Sequence, residues 1–361
     1  MNWENFRLST RLNLKPEVVE SIYELLSAID GVKNSWSITA KLLPQTLIKL
    51  TQSLIITSTG ASNRIEGNSL SDQEVEALYK NLRIKKFKTR DEQEVIGYIQ
   101  AFELILEHFK EISLTESFIL QLHQILLQES DKDAGHRGHY KIGSNRVEAK
   151  DQSGNIIGII FEPTPPYLVK KEMSELIEWY SWAQENNFKH PLILIANFIF
   201  EFLAIHPFQD GNGRTSRLLT NLLLLNNNYG FASLVSNEKI VETNKLDYYR
   251  ALNKTQKSWK TSEEDISLWL LFFLKVLKLQ AEKALSLVSE EKTDHLLSVK
   301  QAAVLEWLQT RTLSEFSRQD AIQELNFAPR TIEDVIKKLV ELNYLQRLGQ
   351  GKATRYRLLK K

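Results

Sequence analysis

The sequence predicts a mainly α protein: a helical core carrying one β-hairpin flap, followed by a C-terminal winged helix-turn-helix domain. Three observations carry this. Apolar residues recur at helical intervals through most of the 361 residues. One segment, Tyr140 to Pro166, breaks the habit with two extended runs. Near the C-terminus, three short helical segments precede a glycine-tipped pair of extended runs.

Taken in order, Lys15–Ile29 places Val18, Val19, Ile22, Leu25, Leu26 and Ile29 on one stripe. The same spacing predicts helices over Leu47–Thr57, Asp72–Leu82, Asp91–His108, Leu114–Gln128, Val169–Asn186 and Pro191–Ile205. Ser113 and Glu116 have the spacing of a capping box. Tyr140–Ala149 and Asn155–Phe161 read as strands, with Asp151-Gln152-Ser153-Gly154 as hairpin turn and Glu162-Pro163-Thr164-Pro165-Pro166 as stop. A lone hairpin among helices is marginal by itself, so it reads as a flap laid over something. Helix resumes at about Gly213–Asn226, then Leu246–Lys257 and Glu263–Val288. Ser289–Asp294 reads as a linker. Beyond it come helices Val299–Thr310, Arg318–Leu325 and Arg330–Asn343, then runs Tyr344–Leu348 and Ala353–Leu359 around Gly349-Gln350-Gly351. The domains expected are an N-terminal helical region, 1–90, a core, 91–288, and the winged unit, 294–361.

Composition narrows the function classes. Apolar residues make up 42% and charged residues 25%, ordinary for a globular protein. The net charge of +1 gives no global pointer to nucleic acid or membrane. The absence of cysteine excludes disulfides, cysteine nucleophiles and Cys-ligated zinc. The N-terminus lacks the apolar region of a signal peptide, and Pro191–Ile205 is short and interrupted by Asn197 and Glu201. A cytoplasmic location without membrane contact is the expectation.

The chemistry concentrates in His206-Pro207-Phe208-Gln209-Asp210-Gly211-Asn212-Gly213-Arg214-Thr215-Ser216-Arg217. Gly211 and Gly213 let backbone approach an anion closely, and the N–H groups opening the next helix carry partial positive charge. Arg214 and Arg217, one turn apart, add two cationic clamps. Asp210 offers a hard oxygen of the kind Mg²⁺ takes while keeping most of its waters. Neutral His206 can take a proton from an attacking hydroxyl. Base, metal ligand, phosphate nest and clamps together make a phosphoryl- or nucleotidyl-transfer site.

HPFQDGNGR followed by TSR matches the HPFx(D/E)GNGRxxR motif, and the chain thereby resembles the Fic-domain family. About seven fixed positions at roughly one in twenty each make a chance match of order 10⁻⁹ per start point. The resemblance implies transfer of AMP from ATP to a Ser, Thr or Tyr hydroxyl of a protein target, with release of pyrophosphate. It implies His206 as base and Asp210 as holder of Mg²⁺. Asn212 and the flanking amides, Gly211 and Gly213 through Thr215 and Ser216, would hold the α-phosphate, and Arg214 and Arg217 the outer phosphates. Doc and phosphocholine-transferring relatives have altered motifs; here every position is intact, which favours AMP transfer.

Ser62-Asn63-Arg64-Ile65-Glu66-Gly67 fits the family's (S/T)xxxE(G/N) inhibitory motif, placed upstream of the core as in self-inhibited relatives. In that reading Glu66 pairs with Arg217 and takes it from the γ-phosphate. Glu66 would equally suit positioning a water for removal of AMP at the same site. The flap resembles the family's target-aligning flap, which works by strand addition. Gly158, Ile159, Ile160 and Phe161 fall where it nears the nucleotide. Asp247-Tyr248-Tyr249-Arg250-Ala251-Leu252 resembles the family's YYxxL element, so Tyr248 and Tyr249 are expected to wall the adenine pocket and Gln256 to meet base edge or ribose. One of the two tyrosines reads equally well as core packing.

From Thr293 to Lys361 there are twelve Lys/Arg and eight Asp/Glu, and none of the acids follows Arg347. A basic wing suits phosphates, but Glu333 and Asp334 on the second helix of the helix-turn-helix mix its face. Protein contact is favoured over DNA. A nucleotide-sensing DNA-binding regulator is the rival reading, and a homodimer is a further expectation, since relatives often pair.

Overall fold

The two polar residues that interrupt the most apolar stretch of the sequence explain how the N-terminus is fastened. In the computed structural model, residues 2–34, 44–81, 87, 89–145, 147–150, 156–290, 298–310, 315–325, 327–342, 344–349, 351 and 354–359 are described. The expected hairpin turn 151–154, residues 291–294 of the expected linker, and the side chains of Ile159 and Ile160 lie outside the described residues.

The chain divides into two compact units. The first, Met1–Asn34 with Thr51–Ala284, begins with α1 (Arg7–Thr10), α2 (Pro16–Asn34), α3 (Pro44–Ile65, from Thr51 onward), α4 (Asp72–Lys80), α5 (Arg90–His108) and α6 (Glu116–Leu126). An antiparallel pair follows, β1 (Val147–Lys150) and β2 (Ile156–Phe161), in register Val147 with Phe161 and Glu148 with Ile159. Then come α7 (Pro166–Glu185), α8 (Pro191–Ile205), α9 (Asn212–Asn226), α10 (Asn237–Thr243), α11 (Lys245–Gln256) and α12 (Ser267–Glu290, up to Ala284).

Helix α8 is the centre of this unit: every residue from Leu192 to Ile205 is buried. A helix apolar all round needs neighbours on every side; α7 and α9 supply two of them. Its buried Asn197 and Glu201 must be satisfied, and the N-terminal segment does so. Arg11 Nε donates to Asn197 Oδ1 at 2.6 Å, and its Nη1 to Glu201 Oε2 at 2.6 Å. Arg7 also pairs with Glu201. Burial opposes the Glu201 charge, yet Arg11 and Arg7 outweigh it and hold the carboxyl down at about 2. By their contacts α1, α2 and the part of α3 from Thr51 onward group with the residues up to Ala284 in one compact unit.

Several local expectations change. The cap of α6 is Thr115, whose hydroxyl accepts from Phe118 N–H, rather than Ser113. Capping boxes occur instead at Ser71/Glu74 and Thr89/Glu92. Residues 140–145, expected as strand, are bends and coil, and the Lys141 N–H bonds Pro207 O of a neighbouring loop instead of a strand partner. Helix α10 is absent from the sequence-based expectation, being too short to carry a periodic signal.

The second unit contains α13 (Val299–Thr310), β3 (Glu315–Phe316), α14 (Arg318–Leu325), α15 (Pro329–Glu341), β4 (Leu345–Leu348) and β5 (Arg355–Leu358). The sheet order is β3-β5-β4, antiparallel throughout. Val304, Leu308, Phe316, Ala321, Ile332, Ile336, Leu339 and Leu345 form its core. The helix and strand order is the one expected from sequence, with β3 added; two residues carry no readable alternation. On α15, Glu333 pairs with Arg318 at 3.1 Å across an exposed surface.

Candidate active site

Helix α8 ends at His206, which adopts a left-handed conformation (φ 53°, ψ 60°). Such a backbone is costly for a residue with a Cβ and persists only where its surroundings over-determine it. Here the His206 N–H closes on Phe202 O at 2.9 Å. His206 Nδ1 lies 3.3 Å from Leu203 O. A carbonyl only accepts, so Nδ1 carries the proton and Nε2 keeps its lone pair. Desolvation, then the Lys141 ammonium, push this imidazole down to about 4. The ring is neutral at pH 7, with a basic nitrogen free.

The loop then turns into α9 through Gly211, at φ 81°. Asn212 clasps it: Phe208 N–H donates to Asn212 Oδ1 at 2.9 Å and Asn212 Nδ2 to Phe208 O at 2.7 Å. Asn212 is 2% exposed. Its side chain is therefore committed to shaping the loop. The amides of Asn212, Gly213 and Arg214 open the helix and have no intrahelical acceptor. Thr215 N–H already bonds Gly211 O, and Ser216 Oγ donates to Gly213 O at 2.8 Å, so these two serve the turn itself.

Asp210 lies at the mouth. Its carboxylate accepts from Gly211 N–H at 2.5 Å, Arg214 Nη2 at 3.2 Å and Arg90 Nη2 at 3.0 Å. Burial opposes its charge, but Arg214, the Gly211 amide and Arg90 hold the carboxyl below its usual range. It is an ionised, hard oxygen donor beside the helix N-terminus, a donor type that fits Mg²⁺.

Glu66 reaches the same place from the turn after α3. Arg217, on α9, donates through Nη2 to Glu66 Oε1 at 2.8 Å, and through Nε to Ser62 Oγ at 2.8 Å. Burial would lower the Arg217 pKa; the Glu66 carboxylate outweighs this and raises it. A Cβ at Gly213 would collide with Glu66 Oε1, so the carboxylate rests directly on the start of α9. Negative charge there is what the orphan amides favour. Arg64 fixes this turn through Glu242 at 2.6 Å and Asp72 at 2.8 Å. Asn68 ties it to Asp91 O at 3.1 Å.

The residues expected at the adenine make the following contacts. Tyr248 is buried in an aromatic cluster, 5.9 Å from Phe272 and 6.0 Å from Trp269. Tyr249 donates its hydroxyl to Ile65 O at 3.3 Å, capping α3 just before Glu66. Gln256 is buried at the end of α11. Phe161 is 8% exposed and packs 5.4 Å from Trp259, which anchors the flap. Gly158, Ile159 and Ile160 are in β2, paired with β1.

Three residues that hold the loop escape a reading of the sequence. His123 stacks on Phe208 with centroids 3.7 Å apart, accepts Gly138 N–H at Nδ1 (2.9 Å) and donates from Nε2 to Asp210 O (3.0 Å). Lys141 donates from its backbone to Pro207 O at 2.9 Å and from Nζ to Ile205 O at 3.3 Å and Asn145 Oδ1 at 2.7 Å. Asn145 Nδ2 donates to His206 O at 3.3 Å and Phe208 O at 2.7 Å. Nothing in their local sequence marks them; their partners on the loop are distant in the chain.

Comparison with known proteins agrees with this geometry. Residues 113–224 match the Fic/DOC family. Protein adenylyltransferase Fic of Nematostella vectensis is 26% identical over 251 residues, 68% of this chain and 54% of that protein. Protein adenylyltransferase fic-1 of Caenorhabditis briggsae is 29% identical over 196 residues, 52% of this chain and 34% of that protein. The chain thus spans between a third and about half of the length of these curated relatives. The crystal structure of a Fic family protein from Desulfovibrio desulfuricans G20 is similar in fold, with a TM-score of 0.61 and 25% identity, over 97% of this chain and 98% of that one. Fic-1 (residues 134–508) of Caenorhabditis elegans, at 18% identity, shares the fold with a TM-score of 0.58 over 77% of this chain and 76% of that one. Among the described residues no helix is long and apolar enough to cross a membrane. Residues 113–224, built around the HPFQDGNGR loop, are thus the part of the chain that carries a Fic/DOC domain.

Proposed function

We propose that this protein is an adenylyltransferase that moves AMP from ATP to a Ser, Thr or Tyr hydroxyl of a protein and is restrained by its own Glu66. The observation that carries the reading is a neutral histidine with a free Nε2 beside a helix N-terminus whose anion position is taken by a carboxylate. His206 Nε2 takes the proton of the acceptor hydroxyl. The hydroxyl oxygen forms a bond to the α-phosphorus, and the bond from that phosphorus to the pyrophosphate oxygen breaks. The amides of Asn212, Gly213 and Arg214 stabilise the charge gathering on the α-phosphoryl oxygens. Arg214 and Arg217 neutralise the departing pyrophosphate once Arg217 leaves Glu66. Asp210 would hold Mg²⁺, which when bound neutralises phosphate charge.

Glu66 supports autoinhibition because it competes twice, for Arg217 and for the helix N-terminus. The C-terminal unit is proposed as a protein-docking winged helix. Its α15 face is mixed in charge, with Glu333 already paired to Arg318, which weakens a phosphate-binding surface. The experiment is intact mass spectrometry after incubation with Mg²⁺-ATP and candidate acceptor proteins, comparing parent, Glu66→Gly and His206→Ala. An adenylyl adduct on the chain or an acceptor, abundant with Glu66→Gly, scarce with the parent and absent with His206→Ala, is expected. Equal adducts from all three, or ATP consumption without any adduct, would remove the proposal.

A further inference from the structure

Four consecutive carbonyls of the loop that carries His206 face donors from one short segment between α6 and β1. Ile205 O, His206 O, Pro207 O and Phe208 O are held by Lys141 and Asn145, and Asp210 O by His123. We propose that Lys141, with Asn145 as its relay, is a positioning residue for His206: it clamps the loop in its strained conformation and keeps the imidazole in the tautomer that acts as base. This inference rests on the reading of His206 as the base.

The argument starts from cost. Lys141 is 3% exposed, and its Nζ donates to two neutral acceptors, an amide oxygen and a peptide carbonyl. A buried ammonium with neutral partners is expensive, and an apolar side chain of similar length would fill the space more cheaply. Burial accordingly depresses the Lys141 ammonium to about 8, against a small opposing contribution from Glu172. Two features of the site use the charge. The first is the C-terminus of α8, whose last carbonyls form the negative pole of a wholly buried helix; Lys141 Nζ bonds the last of them. The second is the His206 ring. Lys141 disfavours its protonation, while Glu66 and Asp210 favour it. Without Lys141, both carboxylates would pull the ring toward the imidazolium, which cannot act as base.

Geometry supplies the other half. His206 is left-handed at φ 53°, and a conformation of that kind costs on the order of 1–3 kcal/mol. Asn145 grips the carbonyls on the C-terminal side of His206 and of Phe208, and Lys141 those of Ile205 and Pro207. Four consecutive peptide planes are thereby fixed by two side chains and one backbone amide. The cradle amides and the arginines belong to α9 and are not part of this clamp. Loss of the clamp is therefore expected to disturb the base and spare nucleotide binding.

The test uses the full chain in the Glu66→Gly background, with Lys141→Met, Lys141→Arg and Asn145→Ala added singly. The first readout is independent of activity: long-range ¹H–¹⁵N NMR of the His206 ring, assigned by comparison with His206→Ala. With Lys141 present, the Nδ1–H tautomer is expected to predominate and titration to lie well below pH 6. Lys141→Met is expected to mix the tautomers and raise the titration by on the order of one pH unit. Lys141→Arg keeps the charge and is expected to restore it. Asn145→Ala is expected to mix the tautomers while leaving the titration near its starting point. The second readout is adenylyl transfer. Lys141→Met is expected to lower kcat by roughly 10–100-fold, the scale of a misplacement near 1 Å, with KM for ATP within about twofold. If Lys141→Met does not fold, Lys141→Gln carries the same comparison. An unchanged tautomer and titration in a folded Lys141 variant would overturn the inference, as would KM and kcat failing together. If Glu66→Gly transfers nothing, the adenylyltransferase reading falls by itself, and the NMR arm still decides whether Lys141 and Asn145 position the ring.

Discussion

Replacing Glu66 with glycine removes one carboxylate that does two things. It accepts from Arg217 Nη2 at 2.8 Å, and it rests on the start of α9 where a Cβ at Gly213 would be. A charge-assisted hydrogen bond contributes about 1.5–3 kcal/mol. The Glu66 side chain is 37% exposed, so solvent screening reduces this to about 1–2 kcal/mol. Released from that contact, Arg217 becomes available to the outer phosphates, and AMP transfer is expected to rise about 5–30-fold. Ser62, which stays on Arg217 Nε at 2.8 Å, keeps the arginine near its place and prevents a general loss of the site. Glu66→Gln retains the atoms over Gly213 without the charge, so its rate is expected between those of parent and Glu66→Gly. The assay is the initial rate of pyrophosphate release with Mg²⁺-ATP and acceptor protein, alongside ATP affinity by calorimetry. Because Arg217 is buried, Glu66→Gly should also melt earlier without ATP and recover when ATP is added. Parent and Glu66→Gly transferring at one rate, with ATP bound equally by both, would refute the idea that this contact restrains the enzyme.

Three further outcomes are expected. His206→Ala should bind ATP as the parent does and lose transfer by roughly 10²-fold or more; since burial holds the imidazole at about 4, transfer by Glu66→Gly should stay level from about pH 7 to about 5 and fall below that as the base protonates. Asp210→Ala should abolish both activity and its Mg²⁺ dependence, measured by titrating the metal in a transfer assay; a variant still stimulated by Mg²⁺ would place the metal ligand elsewhere. Glu201, depressed to about 2, gives stability that is present above its ordinary value of 4.5 and is lost as pH falls toward about 2. Arg11→Met leaves that charge to Arg7 alone and should cost up to about 3–5 kcal/mol in denaturant unfolding at neutral pH, with a weaker fall on acidification than the parent shows.

The helical class, the flap, the order of elements in the C-terminal unit and the loop at 206–217 are all legible in the chain before it folds. Periodicity survives because a helix must bury one stripe whatever it packs against, and a phosphate-binding turn needs its glycines and arginines at adjacent positions. Asn197 and Glu201 are visible as interruptions of an apolar run, but folding gives them their partners, Arg11 and Arg7, nearly two hundred residues away. Packing likewise sends Tyr249 to the end of α3 and Phe161 to Trp259. It makes coil of residues 140–145 and puts His123, Lys141 and Asn145 around the loop of His206. A hydrogen bond between distant segments leaves no mark on either sequence, since a lone His, Lys or Asn reads the same wherever its partner lies. The local chemistry is legible because its residues are neighbours in the chain; the groups that hold that chemistry in place are neighbours only in the fold.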